Sequence, residues 1–484
     1  TRVAAPNMNL DARKGSTKYS LPIVAELAKG KVTYTLCAVA ILFVLLGETP
    51  LRGSLDVVSV EAGYSQGSVV SGAIFQGKPY RQFPGKRVFT KGWEKRVGKK
   101  SLDWEKISSK FVRKGGKPST KTCTKWSVVT TIFSPTEAIH DAANMGDDWC
   151  IVIVGDMKTP SDFLTGDPKL KDNDSVFFFD VVEQEAWNRL PGELGEFARS
   201  LPFNHFARKN LGFIYAILRG ANFIYDFDDD NYIKKGADGK VMSLIPNEKE
   251  VANVRHLKVD TKAFNHHALM GATLETSWAR GFPLERIQDE QTRGTVVSTS
   301  SVPMEGVGVI QYCADTNPDI DAVHRLTKPL PMNFLDESKS SPILVPSTTA
   351  APYNAQATIH HGPALFATLL PITVKSRISD IWRAYYAAPL FRDIGISLIF
   401  APPRITQVRN AHTYIGDMKA EGDLYFKSDK LTEFLYDWRS SEESLPARME
   451  QLWIDLYERG YHEAGDVILV QKWLAALVQI QYNF

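Results

Sequence analysis

Residues 208–231 have the sequence RKNLGFIYAILRGANFIYDFDDDN, and this stretch decides the fold. In its first half, apolar side chains recur every three or four residues, which is the spacing of a helix with one buried face. Gly220 is a suitable stop for that helix, and the run 223–227 has the length and composition of a buried strand. A helix that leads directly into a buried strand predicts an α/β fold. The apolar helix positions are Leu211, Ile214, Tyr215 and Leu218.

The sequence before this stretch continues the alternation. Residues 126–133 (WSVVTTIF) are β-branched and aromatic, as in strands, and 135–144 are helix-like. The runs 150–154 (CIVIV) and 176–179 (VFFF) are apolar throughout, which is typical of strands buried on both faces of a parallel sheet. The order of strand, helix, strand, strand, helix and strand predicts a Rossmann-type nucleotide-binding domain.

Four aspartates crowd into positions 226–230, at the end of the last of these strands. The carboxyl ends of parallel strands open onto the ligand crevice, so these acids should face a ligand. Clustered carboxylates repel one another unless a cation compensates them, and Mg²⁺ or Mn²⁺ with phosphate oxygens would do so. We therefore predict a metal motif at Asp228, Asp229 and Asp230. The alternatives are an acidic turn that caps the strand and a lone calcium loop, although the spacing differs from the helix–loop–helix calcium motif.

Arg208 and Lys209 lie in the first turn of the predicted helix. Free N–H groups at a helix start favour anions, and two cations beside them would strengthen a diphosphate site. The alternative is a solvated helix end without a ligand. Next to the aspartates, we favour contact with a nucleotide.

The composition is that of a globular protein, with 44% hydrophobic and 23% charged residues. A net charge of +2 gives no reason to expect a nucleic acid as partner. None of the four cysteines forms a CxxC pair, so a structural zinc site is not expected. In an oxidising compartment Cys123, Cys150 and Cys313 could form a disulfide, and the sequence leaves the pairing open.

The N-terminal region predicts a membrane anchor followed by a stem. Residues 32–47 (VTYTLCAVAILFVLLG) are uncharged and would form a helix of ~24 Å, enough for a thin bilayer of the early secretory pathway. Basic residues precede this run and acidic ones follow it, which places the N-terminus in the cytosol. A cleaved signal peptide is the alternative. The predicted segments are a cytosolic tail (1–31), an anchor (32–48), a basic stem (49–124), a catalytic domain (125–430) and a C-terminal helical cap (431–484).

Several long segments resemble the STELLO family of probable Golgi glycosyltransferases. They are 208–231 and the segments WSVVTTIFSPTEAI, WCIVIVGDMKTP, GVIQYCADTNPDIDAVHRLT and APYNAQATIHHGPALFATLLPITVKSRISDIWRAYY. The resemblance covers about residues 125–484, with a weaker likeness to UDP-arabinopyranose mutases. It implies a GT-A-like fold in the Golgi lumen behind a type II membrane anchor, with a UDP-sugar donor, Mn²⁺ or Mg²⁺, and a glycan or glycoprotein acceptor. Plant members are associated with cellulose synthase complexes, so these and other glycosyltransferases are candidate partners.

The resemblance also implies roles for individual residues. It places Thr131, Ser134 and Asp156 around the nucleoside. It assigns Arg208, Lys209 and Asn210 to the donor-facing helix start, and Asp228 to Asp230 to the metal and the nucleotide-sugar.

Other candidates rest on single positions. Asp380 would lie in the first turn of a helix capped by Ser379, where it could act as the base on an acceptor hydroxyl; alternatively it only pairs with Arg383. His412 could complete the metal shell, although a lone histidine is more often simply hydrogen-bonded. The acceptor-side loop would contain Asn354, Gln356 and Thr358, and Asn173 begins an N-glycosylation sequon.

These observations predict a metal-dependent glycosyltransferase. A scaffold that retains a glycosyltransferase fold to assemble other transferases, or a nucleotide-sugar mutase, would share the same fold.

Overall fold

The computed structural model describes residues 81–97, 121–409 and 413–484, all of which belong to one compact unit. The predicted tail and anchor lie outside these residues, as do most of the stem and His412. Within the described ranges, no helix is both long and apolar enough to cross a bilayer.

A single mixed sheet of 11 strands forms the centre of the fold, in the order β3-β2-β1-β4-β10-β8-β11-β9-β6-β7, with β5 paired to β11. The strands are β1 (Lys125–Thr131), β2 (Trp149–Gly155), β3 (Val176–Phe179), β4 (Phe223–Asp226), β5 (Asn231–Ile233), β6 (Glu250–Lys258), β7 (Thr295–Pro303), β8 (Val307–Asp315), β9 (Ile343–Leu344), β10 (Thr358–His361) and β11 (Ser397–Gln407).

The first four strands form the predicted parallel half of the sheet. β2 pairs with β1 and β3, and β4 pairs with the other side of β1, all in parallel. The order β3-β2-β1-β4 reverses direction between β1 and β4, and this is the topological switch point at which doubly wound sheets bind ligands. The α/β prediction is therefore confirmed for this half.

The α-helices are α1 (Glu137–Ala143), α2 (Pro168–Lys171), α3 (Val181–Asn188), α4 (Glu193–Ser200), α5 (Lys209–Leu218), α6 (Ala322–Thr327), α7 (Ser376–Ile394), α8 (Tyr414–Ala420), α9 (Gly422–Asp437), α10 (Leu445–Glu458) and α11 (Ala464–Gln479). Helices α3 and α4 were not anticipated from the sequence.

Helix α5 is the element that delivers the chain to β4, and it lies directly against the sheet. A Cβ atom built on Gly212 would lie 2.5 Å from Val128 Cγ1 and 3.1 Å from Val154 Cγ2. The glycine therefore lets the helix approach β1 and β2 closely.

The second half of the sheet brings more chain to the same edge. β10 runs antiparallel to β4 and β8, and Thr358 lies opposite Asp226. β8 and β11 run parallel to each other. The carboxyl ends of β4, β8 and β11 and the amino end of β10 therefore meet at one edge.

The C-terminal helices pack on this body, and a segment of the predicted stem packs on them. Phe89 N–H donates to Glu450 (2.9 Å) and Trp93 Nε1 donates to Ser444 Oγ (3.1 Å). Trp93 and Phe89 therefore anchor this segment on helix α10. The predicted boundary at residue 430 falls inside helix α9, so the cap begins earlier than expected, at Gly422.

Cys123 and Cys150 form a disulfide with a Cα–Cα distance of 5.8 Å. Cys313 is buried and reduced. The structure thereby resolves the pairing that the sequence left open.

Candidate functional site

A cleft of about 340 Å³ opens at the switch point, where β1, β2 and β4 end. Because these strands are parallel, their carboxyl-terminal loops converge on it. Several of the polar side chains that line it were singled out from the sequence: Thr131, Asp156, Asp228, Asp229 and Asp230.

The first aspartate of the cluster, Asp226, does not face the cleft. It is fully buried and pairs with Lys209 Nζ (2.6 Å) and Arg383 Nη1 (2.7 Å), with His360 Nε2 at 3.6 Å. Burial alone would raise the pKa of Asp226, but the charges of Lys209 and Arg383 hold it well below its ordinary value. Asp226 is therefore a compensated charge that holds β4, helix α5 and helix α7 together.

The next three aspartates differ from Asp226 in their partners. Asp228 lies 3.3 Å from Lys209 Nζ, but no lysine or arginine of the described residues forms an ion pair with Asp229 or Asp230. Thr131 Oγ1 donates to Asp229, and Gln407 Nε2 lies 3.3 Å from Asp230 Oδ1. These carboxylates are held in place by neutral groups and are left without full charge compensation.

The protonation of the cluster reflects this shortage of positive charge. Burial and the neighbouring carboxylates raise the pKa of Asp228 to about 7, against the opposing effect of Lys209. Burial, with Asp229 nearby, raises the pKa of Asp230 to about 6, and burial also raises the pKa of Asp229. A bound cation would remove this destabilisation of the charged forms.

The donor set fits a divalent ion that also binds phosphate. Among the described residues, no three His, Cys, Asp or Glu side chains are arranged to hold a metal ion by themselves. Mg²⁺ typically binds one or two carboxylates and takes its remaining ligands from phosphate and water. Asp228 and Asp230 would supply those carboxylates. His412 lies outside the described residues, so its predicted role as a ligand stays a prediction.

The loops after β1 and β2 form the other wall of the cleft. Asp156 is buried and accepts hydrogen bonds from the N–H groups of Asn204 (2.8 Å) and His205 (3.1 Å), so it organises the loop before helix α5. Thr131 is buried beside Asp229, whereas Ser134 is exposed and does not line the cleft.

The residues at the start of helix α5 have three different environments. Lys209 is fully buried beneath the cluster and also donates to Phe227 O (2.6 Å). Arg208 is fully buried and donates to Gln184 Oε1 (2.8 Å) and Leu201 O (2.8 Å). Asn210 is buried and bonded to the backbone of Leu370. Arg208 and Asn210 therefore hold the body together, which corrects the prediction that they face the donor.

The cleft residues that were missed in the sequence include Lys158 and Phe133. Lys158 follows β2 directly, and its exposed side chain lines the cleft. Phe133 follows β1, is 49% exposed and also lines the cleft, where an aromatic ring could stack on a base. Both residues come just after predicted strands, and this position could have indicated that they lie at the cleft.

Asp380 was predicted as the catalytic base, and its contacts contradict that role. It lies in the second turn of helix α7, is 3% exposed, and receives hydrogen bonds from Arg280 Nη2 (2.7 Å) and Ala355 N–H (3.1 Å). A base needs a free oxygen within reach of the acceptor hydroxyl. Asp380 is instead the buried partner of Arg280, and not of Arg383, which pairs with Asp226.

The predicted acceptor-side loop lies at the amino end of β10, at the same sheet edge. Thr358 is fully buried and donates within the loop, so it supports the loop rather than a ligand. Asn354 donates to Asp319 Oδ2 (2.9 Å) and is partly exposed. Gln356 is 8% exposed, and its Oε1 has no hydrogen-bond partner among the described residues.

Asn173 lies in the turn before β3. Its Nδ2, the atom to which a glycan would be joined, donates to Ala143 O (3.2 Å). Glycosylation at this position stays a prediction.

Comparison with known proteins gives two findings. Residues 377–484 match the family model described as STELLO glycosyltransferases. Two curated relatives from Arabidopsis thaliana are similar over 371 residues, 74% of this chain: probable glycosyltransferase STELLO1 at 25% identity and probable glycosyltransferase STELLO2 at 24%. The chain spans 45% of the length of each relative.

Proposed function

These matches support membership of the STELLO family, and from that premise we propose that the chain is a metal-dependent glycosyltransferase of the Golgi lumen. Its donor would be a nucleotide-sugar, most simply a UDP-sugar, and its acceptor a glycan or glycoprotein. The chemical argument for this proposal comes from the side chains that line the cleft at the switch point.

The observation that carries the proposal is the contrast within one acidic run. Asp226 is neutralised by Lys209 and Arg383, whereas Asp229 and Asp230 face a cleft without a lysine or arginine partner among the described residues. If the cluster only stabilised the fold, pairing its carboxylates with lysine or arginine, as Asp226 is paired, would make the fold more stable. The uncompensated charge instead favours binding of a cation together with a diphosphate.

Each wall of the cleft has a separate task in this proposal. Asp228 and Asp230 would hold Mn²⁺ or Mg²⁺, and the ion would supply positive charge to the diphosphate leaving group. Lys158 contributes a further positive charge for the phosphates. Phe133 and Thr131 form the walls of the space that the nucleoside would occupy.

A lumenal location is supported by two features. The Cys123–Cys150 disulfide is of the kind that persists in oxidising compartments. The charge asymmetry around residues 32–47 orients a predicted anchor with everything after it in the lumen.

The test is release of UDP by the purified chain from a panel of UDP-sugars, with and without Mn²⁺. We expect Mn²⁺ to stimulate release from at least one donor, and Asp228→Asn combined with Asp230→Asn to abolish it. The matched control is Asp238→Asn, which changes an exposed turn residue and should leave release unchanged. The proposal fails if no UDP-sugar raises the melting temperature in the presence of Mn²⁺.

Two other outcomes would point to the alternative functions. Rescue of cells that lack the protein by the double Asn variant would indicate a scaffold. Conversion of one UDP-sugar into another without an acceptor would indicate a mutase.

A further inference from the structure

A second, smaller cavity lies at the same sheet edge as the cleft. It has a volume of about 30 Å³ and lies where β8 ends and the chain enters β10. Most of its lining side chains are buried, and Asn354 is the partly exposed exception. The polar residues that line it include Arg280, Gln311, Asp319, Asn354 and Gln356, with His266 and His267.

Lys209 connects this cavity to the acidic cluster. Its Nζ lies 3.3 Å from Asp228 Oδ1 and 3.3 Å from the carbonyl oxygen of Ala355. Ala355 separates Asn354 from Gln356, both of which line the cavity. Lys209 thus contacts both Asp228 and the loop that carries Asn354 and Gln356.

The charged groups of the cavity are occupied by one another. Arg280 pairs with Asp319 (2.7 Å) and with Asp380 (2.7 Å), and both pairs are buried. Each nitrogen of the Arg280 guanidinium already donates to Asp319, to Asp380 or to the carbonyl oxygen of Arg377, so Arg280 is not free to pair with an anionic ligand. A carboxylate brought into this cavity would be repelled by Asp319 and Asp380.

The neutral polar groups of the cavity are not fully paired. Gln356 Oε1 and His266 Nδ1 have no hydrogen-bond partner in the described part of the chain, and their residues are 8% and 6% exposed. Burial lowers the pKa of His266 to about 3, so its ring is neutral at physiological pH, and it stacks on Phe400. Gln356 and His266 both line this cavity, and each has one buried polar atom that a bound group could satisfy.

We propose that this cavity binds a hydroxyl or hydroxymethyl group of an uncharged sugar and disfavours uronic acids; this inference rests on the proposed function. A hydroxyl group both donates and accepts hydrogen bonds, so one group can satisfy Gln356 and His266 together. The volume is suited to such a group, or to the water that it would replace. The sugar belongs either to the donor or to the acceptor, since the cavity recognises the hydroxyl chemistry that both share.

Gln356→Leu is a sharp probe because the side-chain amide makes no hydrogen bond that the substitution would break. Replacing an unpaired buried polar group by an apolar one of similar size is neutral or stabilising. We expect the ligand-free variant to melt at the wild-type temperature or above. The matched control is Gln288→Leu, the same change at an exposed turn position.

The experiment measures the binding of UDP, UDP-glucose, UDP-galactose, UDP-xylose and UDP-glucuronate with Mn²⁺ by calorimetry. A second arm titrates methyl glycosides of the neutral sugars in the presence of UDP. We expect one neutral ligand to bind about tenfold more tightly than the corresponding uronate, or than UDP without a sugar. A gain in affinity of about tenfold is the effect of one good hydrogen bond. Gln356→Leu should abolish this gain and leave UDP binding unchanged, and His266→Phe, which retains the ring stacking, should do the same.

A gain in affinity among the UDP-sugars assigns the bound sugar to the donor, and a gain among the methyl glycosides assigns it to the acceptor. Equal binding of UDP-glucuronate, or a gain that survives both substitutions, overturns the inference but not the proposed function. Failure of UDP itself to bind overturns both.

Discussion

Lys209 and Lys158 show how differently two lysines near one cleft can act. Lys209 is completely buried between Asp226 and Asp228, whereas Lys158 is exposed. The sequence places both next to strand or helix ends, and nothing in the local pattern distinguishes them.

We expect Lys209→Met to lower the free energy of unfolding by about 3–5 kcal/mol, because it removes one of the two cations that compensate buried Asp226. Urea denaturation measures this loss. In the matched control, Lys158→Met should change stability by less than about 0.5 kcal/mol and weaken UDP binding instead. Equal stability of the two variants would contradict the structural role of Lys209.

Asp380→Asn tests the corrected role of Asp380. Removing one carboxylate from Arg280 should destabilise the fold by about 3 kcal/mol, measured by urea denaturation. A variant with wild-type stability and no turnover would reinstate Asp380 as the base.

His324 gives a pH-dependent prediction. The residue is fully buried against Trp278, and burial, with Arg325 and Lys328 nearby, lowers its pKa to about 4. The unfolded chain, with a histidine pKa near 6.5, therefore binds more protons between about pH 6.5 and pH 4. His324 thus costs stability as the pH falls through this window.

His324→Phe removes this proton uptake and retains the aromatic contact. Its stability relative to the wild type should improve by about 2 kcal/mol between pH 7 and pH 5, measured by urea denaturation at each pH. A difference that does not vary with pH would refute the assignment.

At the residue scale, the acidic cluster was predictable from the sequence. The difference between Asp226, which is paired with cations, and Asp229 and Asp230, which are not so paired within the described ranges, was not predictable. The position of the aspartates after a buried strand indicates a cleft, and Asp228 to Asp230 line one. Of the two cations that neutralise Asp226, Arg383 lies 157 residues later in the chain. Only the tertiary structure brings them together, and the same holds for Arg280 beside Asp380.

At the scale of elements, Gly212 is a packing requirement inside a helix. Alanine normally stabilises a helix by about 1 kcal/mol relative to glycine. At this position a Cβ would lie 2.5 Å from Val128 Cγ1, so we expect Gly212→Ala to destabilise the protein by about 1–3 kcal/mol. Thermal unfolding checks the sign.

Gly422→Ala is the matched control, because Gly422 is the first residue of helix α9 and a Cβ there would meet no atom within 4 Å. It should be neutral or slightly stabilising. The packing argument fails if the two substitutions have the same effect.

Elements with strong periodicity were the predictable ones. The strands of the parallel half and helix α5 follow from apolar runs and helical spacing. Helix α5 nevertheless begins as a 3₁₀ turn, Phe206–Arg208, and this turn directs Arg208 into the core. Helix α3 buries only Gln184 and Trp187, so its apolar spacing is a weak signal. Helix α4 does bury Leu194, Phe197 and Ala198 at helical spacing, but it has only eight residues.

At the scale of the whole molecule, contacts between distant segments define the extent of the folded domain. Residues 81–97, expected to be stem, bind helices α10 and α11 through Arg81, Phe89 and Trp93. The sequence of this region predicted only a basic stem. The buried acceptor for its backbone, Glu450, lies over 350 residues away and could not be anticipated.

The Cys123–Cys150 disulfide closes a loop with a sequence separation of 27 residues. In the loop-entropy model, its removal by Cys123→Ala with Cys150→Ala should cost about 3 kcal/mol. Thermal unfolding of the oxidised proteins measures this loss. As a control, a reductant should lower the wild-type melting temperature to that of the double variant and leave the variant unchanged.

The position of this cross-link has a consequence for ligand entry. Cys150 lies five residues before Gly155, so roughly 17 Å of strand separates the covalent bond from the loops that follow β1 and β2. The disulfide ties the two strands at their amino ends, whereas the cleft lies at their carboxyl ends and neither cysteine lines it. Oxidation would thus stabilise the register that pairs Thr131 with Gly155 without placing a covalent bond in the cleft itself.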